Sequence, residues 1–271
     1  MVAAGEVSGT LDVSLERLSD QQEKDADIVS KVRGAMIYPA IVLLVMTGVV
    51  GFMLVKVLPQ VQVLYDGFPG ADLPLVTRVL LAISNAIIKY WWMVAIFLAI
   101  LAFFGTRWAR TGPGKEFIDM AKMRTPAVGD LFRKMYMARF SRTGSTLVSS
   151  GVPLIQTLEI TADAVNNVHI SRSINAAIEK VRAGKSLADA LDKDPNFLEL
   201  VPNMLRIGEQ SGSMEQMLDK VASYYEKEVT DKVKNIQTII EPVMMVLLGI
   251  VAFTIVAAVL LPVYGLAGNS F

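Results

Sequence analysis

Three long apolar stretches interrupt a chain that is otherwise patterned for amphipathic helices. Ala35–Val55 carries no charge over 21 residues, Tyr90–Thr106 none over 17, and from Pro242 to Phe271 there is none at all. A helix needs about 20 apolar residues to cross the hydrocarbon core of a bilayer. Each stretch therefore predicts a membrane span. The second is short alone, and Val79–Ile88 extends its helix outward. Lys89 then snorkels to the interface, and Tyr90, Trp91 and Trp92 stand at the level of an aromatic belt.

Between about residues 110 and 236 the apolar positions recur at helical spacing, with little alternation of the strand kind. Phe140, Thr143, Leu147 and Val148 share one face. Gly151-Val152-Pro153 breaks that helix, and Leu154–Val165 starts another. Ile174, Ile178 and Val181 mark a third, closed by Gly184. Ser186-Leu187-Ala188-Asp189 resembles a capping box that opens a short helix, which Pro195-Asn196 ends. Val201–Ile207 predicts a further short helix ended by Gly208. Ser213-Met214-Glu215-Gln216 opens a long one with Leu218, Val221, Tyr225 and Val229 on its apolar face, and its pattern continues through Val233 and Ile236 toward the third span. The expected fold is all-α: three transmembrane helices and a cytoplasmic six- or seven-helix bundle.

Composition narrows the chemistry. The mean hydropathy is +0.45 and 53% of residues are hydrophobic, more than a soluble domain usually carries. Lys plus Arg and Asp plus Glu are equal at 26 each, which argues against nucleic acid as a partner. With no cysteine and the single histidine His169, disulfides, thiolate chemistry and Cys- or His-paired metal sites are excluded, and no cofactor or metal is expected. The start, Met1–Arg33, is polar and acidic and does not read as a signal peptide.

Orientation follows from the basic residues. Arg17, Lys24, Lys31 and Arg33 precede the first span. Arg107, Arg110, Lys115, Lys122 and Arg124 follow the second, and Lys220, Lys227, Lys232 and Lys234 precede the third. The loop Pro59–Ile88 has only Arg78, and the tail has none. The positive-inside rule places the N-terminus and the middle region in the cytoplasm. The expected layout is a remnant of a first cytoplasmic domain (1–34), a span (35–58), an outer loop (59–78), a span (79–106), the cytoplasmic bundle (107–238), a span (239–264) and an outer tail (265–271).

The chain also repeats itself at a shift of 203 residues without a gap. Gly5-Glu6-Val7-Ser8-Gly9 matches Gly208-Glu209-Gln210-Ser211-Gly212. Leu15 matches Leu218, Glu23-Lys24 matches Glu226-Lys227, and Lys31 matches Lys234. Pro39 matches Pro242, and Leu58-Pro59 matches Leu261-Pro262. Each unit is a bundle, a long helix and a span ending in Leu-Pro. The first copy has only Met1–Ala4 before its Gly-Glu motif, so the expectation is an N-terminally incomplete version of the repeat, whose Leu11, Leu15 and Leu18 face lacks its own bundle.

Phe140, Leu147, Gly151-Val152-Pro153-Leu154, Gly184-x-Ser186-Leu187-x-x-Ala190-Leu191, Gly208-Glu209-x-Ser211-Gly212 and Glu241-Pro242, in this order and with this duplication, resemble the type II secretion F-domain family. The likeness covers the whole chain. Phe197 is followed by Leu198 where the family pattern has proline. Tyr38-Pro39 against Glu241-Pro242 agrees with the family's asymmetry between copies. The resemblance implies an inner-membrane platform or adaptor protein of a type IV pilus or type II secretion machine, itself not an enzyme. It implies that such a protein couples a hexameric assembly ATPase to pilin or pseudopilin subunits, alongside other inner-membrane assembly proteins, lipid and further copies of itself.

The candidate site residues are Gly5, Glu6, Gly9, Gly208, Glu209, Ser211, Gly212, Glu241 and Pro242. For Glu6 and Glu209 one reading is turn and cap chemistry, with glycines for positive φ and Ser211 or Ser213 as a cap. The other is contact with a partner or metal. Glu241 at the edge of the third span either meets an intramembrane partner or stays among headgroups while Pro242 bends the helix. His169 reads as a surface residue, Tyr224-Tyr225 as half core and half surface, and Asp20–Asp27 as a solvated helix face. A membrane enzyme lacks its constellation: Gly112-Pro113-Gly114-Lys115 has neither the glycine spacing nor the preceding strand of a phosphate loop. A small transporter or channel subunit is the alternative, but Thr47 and Thr254 are almost the only polar groups deep in the spans.

Overall fold

The structure is a computed structural model that describes residues 11–66, 75–126 and 128–268. Among these residues it holds ten α-helices, one π-helical turn and no strand. Three helical stretches, Met36–Gln60, Thr77–Ala109 and one within Met214–Leu260, are long and apolar enough to cross a membrane. The chain forms two compact units, one of Gly34–Thr106 and Ile236–Phe271, the other of Met1–Arg33 and Arg107–Asn235.

The first unit is built from the apolar stretches. Helix α1 (Leu11–Phe52) passes into a π-helical turn (Met53–Val57) and then α2 (Leu58–Asp66). Helix α3 (Leu75–Ala109) joins Val79–Ile88 to the aromatic stretch in one element. The π turn has a local cause. The Leu58 N–H reaches back five residues to the Met53 carbonyl. In that register the next donor would serve the Leu54 carbonyl, but Pro59 has no N–H. The Ser84 hydroxyl of α3 donates to Leu54 instead. The second Leu-Pro pair repeats the problem: Pro262 cannot donate to Ala258, and the Thr77 hydroxyl lies 3.5 Å from that carbonyl. Thr77 and Ser84 are fully buried and two helical turns apart, so they share one face of α3. Leu58, Leu81 and Ala258 close around them. Small and hydroxyl-bearing residues at a close helix contact are the usual membrane solution, because apolar packing alone gains little over lipid.

The second unit is a bundle. It contains α4 (Gly112–Arg124), α5 (Gly129–Ser149), α6 (Leu154–Ala164), α7 (Val168–Arg182), α8 (Leu187–Leu191) and α9 (Leu200–Ser211). Its seventh helix is the first part of α10 (Met214–Gly268), which spans 55 residues without a break. Helix α5 carries much of the core: Met137 and Phe140 are fully buried in one cluster with Ile170, Ile174, Leu187, Leu191, Leu205 and Val221, and Leu147, further along the helix, is fully buried as well. The Phe140 and Phe197 rings pack edge to face at 5.1 Å. Helix starts follow cap chemistry: Asn167 Oδ1 accepts from the N–H groups of His169 and Ile170, and Ser186 Oγ from that of Asp189. The chain break at Gly151-Val152-Pro153 and the turn at Gly184 fall where the sequence implies, with φ of +76° and +87° at the two glycines.

Two boundaries differ. The short helix opened at Ser186 ends at Leu191, before Pro195-Asn196 is reached. The helix expected over Val201–Ile207 continues to Ser211, with Gly208 inside it. Gly208 does not stop the helix because it retains a helical backbone; the stop comes at Gly212, which takes the left-handed conformation at φ +69°.

Candidate functional site

The second Gly-Glu motif is thus a helix end, not a loop. Gly208 is buried where α9 meets the start of α10. A Cβ there would stand 3.0 Å from Met214 Cα and 3.3 Å from Met217 Cβ, so glycine permits the close approach of the two helices. Gly212 then reverses the chain: its own N–H and that of Ser213 both donate to the Gly208 carbonyl. Ser211 Oγ donates to the Ile207 carbonyl at 2.6 Å and shares a hydrogen bond with Ser213 Oγ.

Glu209, held between these glycines, turns back onto α8. Its Oε1 accepts the Leu187 N–H at 2.5 Å and its Oε2 the Ala188 N–H at 3.2 Å. With Ser186 taking the Asp189 N–H, the open donors of the first turn of α8 are met by one carboxylate and one hydroxyl. A negative charge at a helix N-terminus is also favoured by the helix dipole. Glu209 is therefore a cap, but of a different helix from the one its sequence neighbours suggest. No group of three or more acidic, histidine or cysteine side chains suited to a metal exists among the described residues. Gly5, Glu6 and Gly9 lie outside the described residues. Glu241 is exposed beside Pro242 within α10 and makes no ion pair or hydrogen bond among the described residues.

An ionic seam that the sequence reading missed ties α5 to α10. Arg142, with a side chain only 10% exposed, donates through Nε and Nη2 to the two carboxylate oxygens of Glu226, through Nη1 to Asp219 and through Nη2 to Ser223. Burial pulls the guanidinium pKa down, but Glu226 and Asp219 outweigh it and hold Arg142 above its ordinary range. Further along, Lys134 Nζ lies 2.7 Å from Glu228 and 3.3 Å from Asp130, and Lys232 lies 3.1 Å from Asp130. The bond to Glu228 raises Lys134 against its partial burial. Burial raises Asp130, but the bonds to Lys232 and Lys134 overcome this and leave it below the usual carboxylate range. Asp130, Lys134 and Glu228 line a groove of about 770 Å³ together with Phe197, Leu200, Met204 and Tyr225. The only sequence signal for the seam was the spacing of Asp219, Ser223 and Glu226 on one face of a helix, and nothing local pointed to Arg142.

His169 is half-buried at the start of α7, its Nε2 3.2 Å from the Glu116 carbonyl, and Tyr224 is exposed while Tyr225 is buried. Thr47 and Thr254 donate to the carbonyls of Leu43 and Ile250 in their own helices.

Three apolar helices long enough to cross a membrane and a seven-helix domain held by caps and ion pairs define a multi-pass helical membrane protein. The sequence profile described as type II secretion system (T2SS), protein F matches residues 1–59 and 140–262, so the matched segments end on the two repeated prolines. The chain is 40% identical over 99% of its length to a type IV pilus assembly protein PilC of Thermus thermophilus, of which it covers 66%. It is 34% identical to the PilC of Pseudomonas aeruginosa, covering 72% of it, and 36% identical to a type II secretion system protein F of the same organism, covering 65%. The chain belongs to the type II secretion system protein F family. It spans about two thirds of the length of the curated relatives it matches.

Proposed function

We propose that this chain is an inner-membrane platform protein of a type IV pilus or type II secretion machine, a non-enzymatic adaptor between a cytoplasmic assembly ATPase and pilin or pseudopilin subunits in the bilayer. The relatives' names supply the machine. The basic flanks of the spans support a cytoplasmic N-terminus and bundle, with the loop 59–78 and the tail 265–271 outside. Further copies of the chain and other inner-membrane assembly proteins complete the set of partners.

The observation that carries the mechanical part is α10. The last helix of the bundle and the third apolar stretch belong to one helix, Met214–Gly268, with no glycine- or proline-rich tether between Met214 and Pro242. A helix passes on rotation or tilt where a flexible linker absorbs it, and Pro242 is the one place in that stretch where it can bend. The bundle then offers the motor its surface.

Inserting a Gly-Ser segment at Lys234 tests this reading. Output of pili or secreted protein is lost while membrane insertion persists. Normal output from the insertion variant refutes rigid coupling. Purified protein hydrolyses no ATP and co-purifies with the assembly ATPase; failure to do so refutes the adaptor role.

A further inference from the structure

Two residues separate the end of α3 from the start of α4, in a tight turn in which the Thr111 N–H donates to the Trp108 carbonyl. The two faces of α4 differ. Asp119 and Met123 are buried, and its acids are spent on α7: Glu116 pairs with Arg172 at 3.0 Å, and Asp119 takes the Val168 N–H and the Lys122 ammonium. The opposite face carries Pro113, Phe117, Ala121 and Arg124, all exposed. Phe117 is 61% exposed and Trp108 49%, and their rings lie 5.7 Å apart. Among the described residues the exposed Arg107, Arg110 and Arg124 pair with no acid, and the Lys115 ammonium bonds only the Asn166 side-chain carbonyl.

We infer that the Trp108–Arg124 segment is an interfacial shelf that rests on anionic lipid headgroups, with Phe117 and Trp108 set among the upper acyl carbons and the free arginines on phosphates. Three features favour lipid over another protein. The segment is covalently continuous with an apolar stretch that ends at Ala109, so a bilayer is always within reach. An exposed Trp-Phe pair fits the headgroup boundary, where flat aromatic rings are at home. Among the described residues, the charges of the segment itself that pair with no opposite charge are all positive, and each arginine or lysine near an anionic surface strengthens membrane binding about five-fold.

The natural sequence has no cysteine, so a single spin label is easily placed. The full chain carrying Ala121→Cys, on the exposed face, is reconstituted at one copy per nanodisc in phosphatidylcholine alone or mixed with phosphatidylglycerol. Lys185→Cys, exposed in the turn after α7, is the aqueous reference. In anionic discs the label at 121 collides less with a nickel chelate and more with oxygen than the label at 185. The difference shrinks in phosphatidylcholine or when Arg110→Gln and Arg124→Gln are added, with circular dichroism unchanged. Equal nickel access at the two sites overturns the proposal, as does protection indifferent to lipid charge. Protection that needs two copies per disc assigns the face to a second chain and overturns it too.

Discussion

Arg142 of α5 grips Glu226 of α10 with a two-pronged pair, Nε to one carboxylate oxygen at 2.8 Å and Nη2 to the other at 2.9 Å. The two residues stand 84 apart in sequence, and their geometry fixes the register of the helix that leaves the bundle. Removing one partner from a buried pair costs about 3–5 kcal/mol. Glu226 is 22% and Asp219 54% exposed, so water recovers part of that. Arg142→Met is expected to destabilise the bundle by about 2–3 kcal/mol, and Arg142→Lys by less, because an ammonium keeps the charge and loses the fork. Chemical denaturation followed by circular dichroism measures both.

Glu209 and its two glycines make separable predictions. Glu209→Ala leaves two N–H groups of α8 without an acceptor and costs about 2 kcal/mol, whereas Glu209→Gln keeps one acceptor and costs about 1 kcal/mol. Gly212→Ala meets open space but a left-handed backbone, and costs about 1 kcal/mol. Gly208→Ala forces α9 from α10 and costs about 1–3 kcal/mol. If Glu209 acts as an internal cap, Glu209→Gln assembles normally once the temperature is lowered enough to restore folding. A fully stable Glu209→Gln protein that still fails to assemble would reassign the residue to a partner.

The seam of Asp130, Lys134, Lys232 and Glu228 sets a pH window. Asp130 is depressed, so its contribution is present above the ordinary carboxylate range near pH 4 and fades as pH falls through its folded value. Lys134 is raised, so its contribution is present below about pH 10 and is lost as pH rises through its folded value. Bundle stability should plateau between these limits. Asp130→Asn should flatten the acid side of the curve and lower its sensitivity to salt, since Asp130 is half exposed.

Within the spans, Ser84→Ala is expected to cost about 1 kcal/mol in detergent, the order of interhelical hydrogen bonds in membranes. In a Pro59→Ala background the cost should shrink, because residue 59 then brings its own N–H. A double-mutant cycle of thermal unfolding reads the coupling, and zero coupling would sever Ser84 from the proline.

Reporter fusions at Asp72 and Lys185 should report opposite compartments. Fusions that report the same side would overturn the proposed orientation.

Helix positions in the bundle were legible because burial follows the apolar period: Phe140, Leu147, Leu218, Val221 and Val229 all lie inside. The Gly-Glu motif was legible as a special place but not as the right one. Glycine serves positive φ and close approach alike, and sequence does not separate Gly212, which turns, from Gly208, which lets α10 near. The target of Glu209 was hidden because a carboxylate can cap any helix within reach, here one 21 and 22 residues back. Arg142 was hidden for the same reason, its acids lying on a helix far along the chain. The repeat is visible in Leu58-Pro59 and Leu261-Pro262, while the π turn of the first copy is not, because it depends on which carbonyl a serine from another helix reaches.

The two hydroxyls of α3 give that span the character of a keyed shaft. Thr77 and Ser84 address two proline-orphaned carbonyls from one face. Slipping α3 by a single residue turns it about 100° and withdraws both keys at once, leaving two bare carbonyls in a medium with no water to meet them. Intermediate settings are penalised, so the three apolar helices should move as an indexed block, and any sliding of one past another should come in discrete steps.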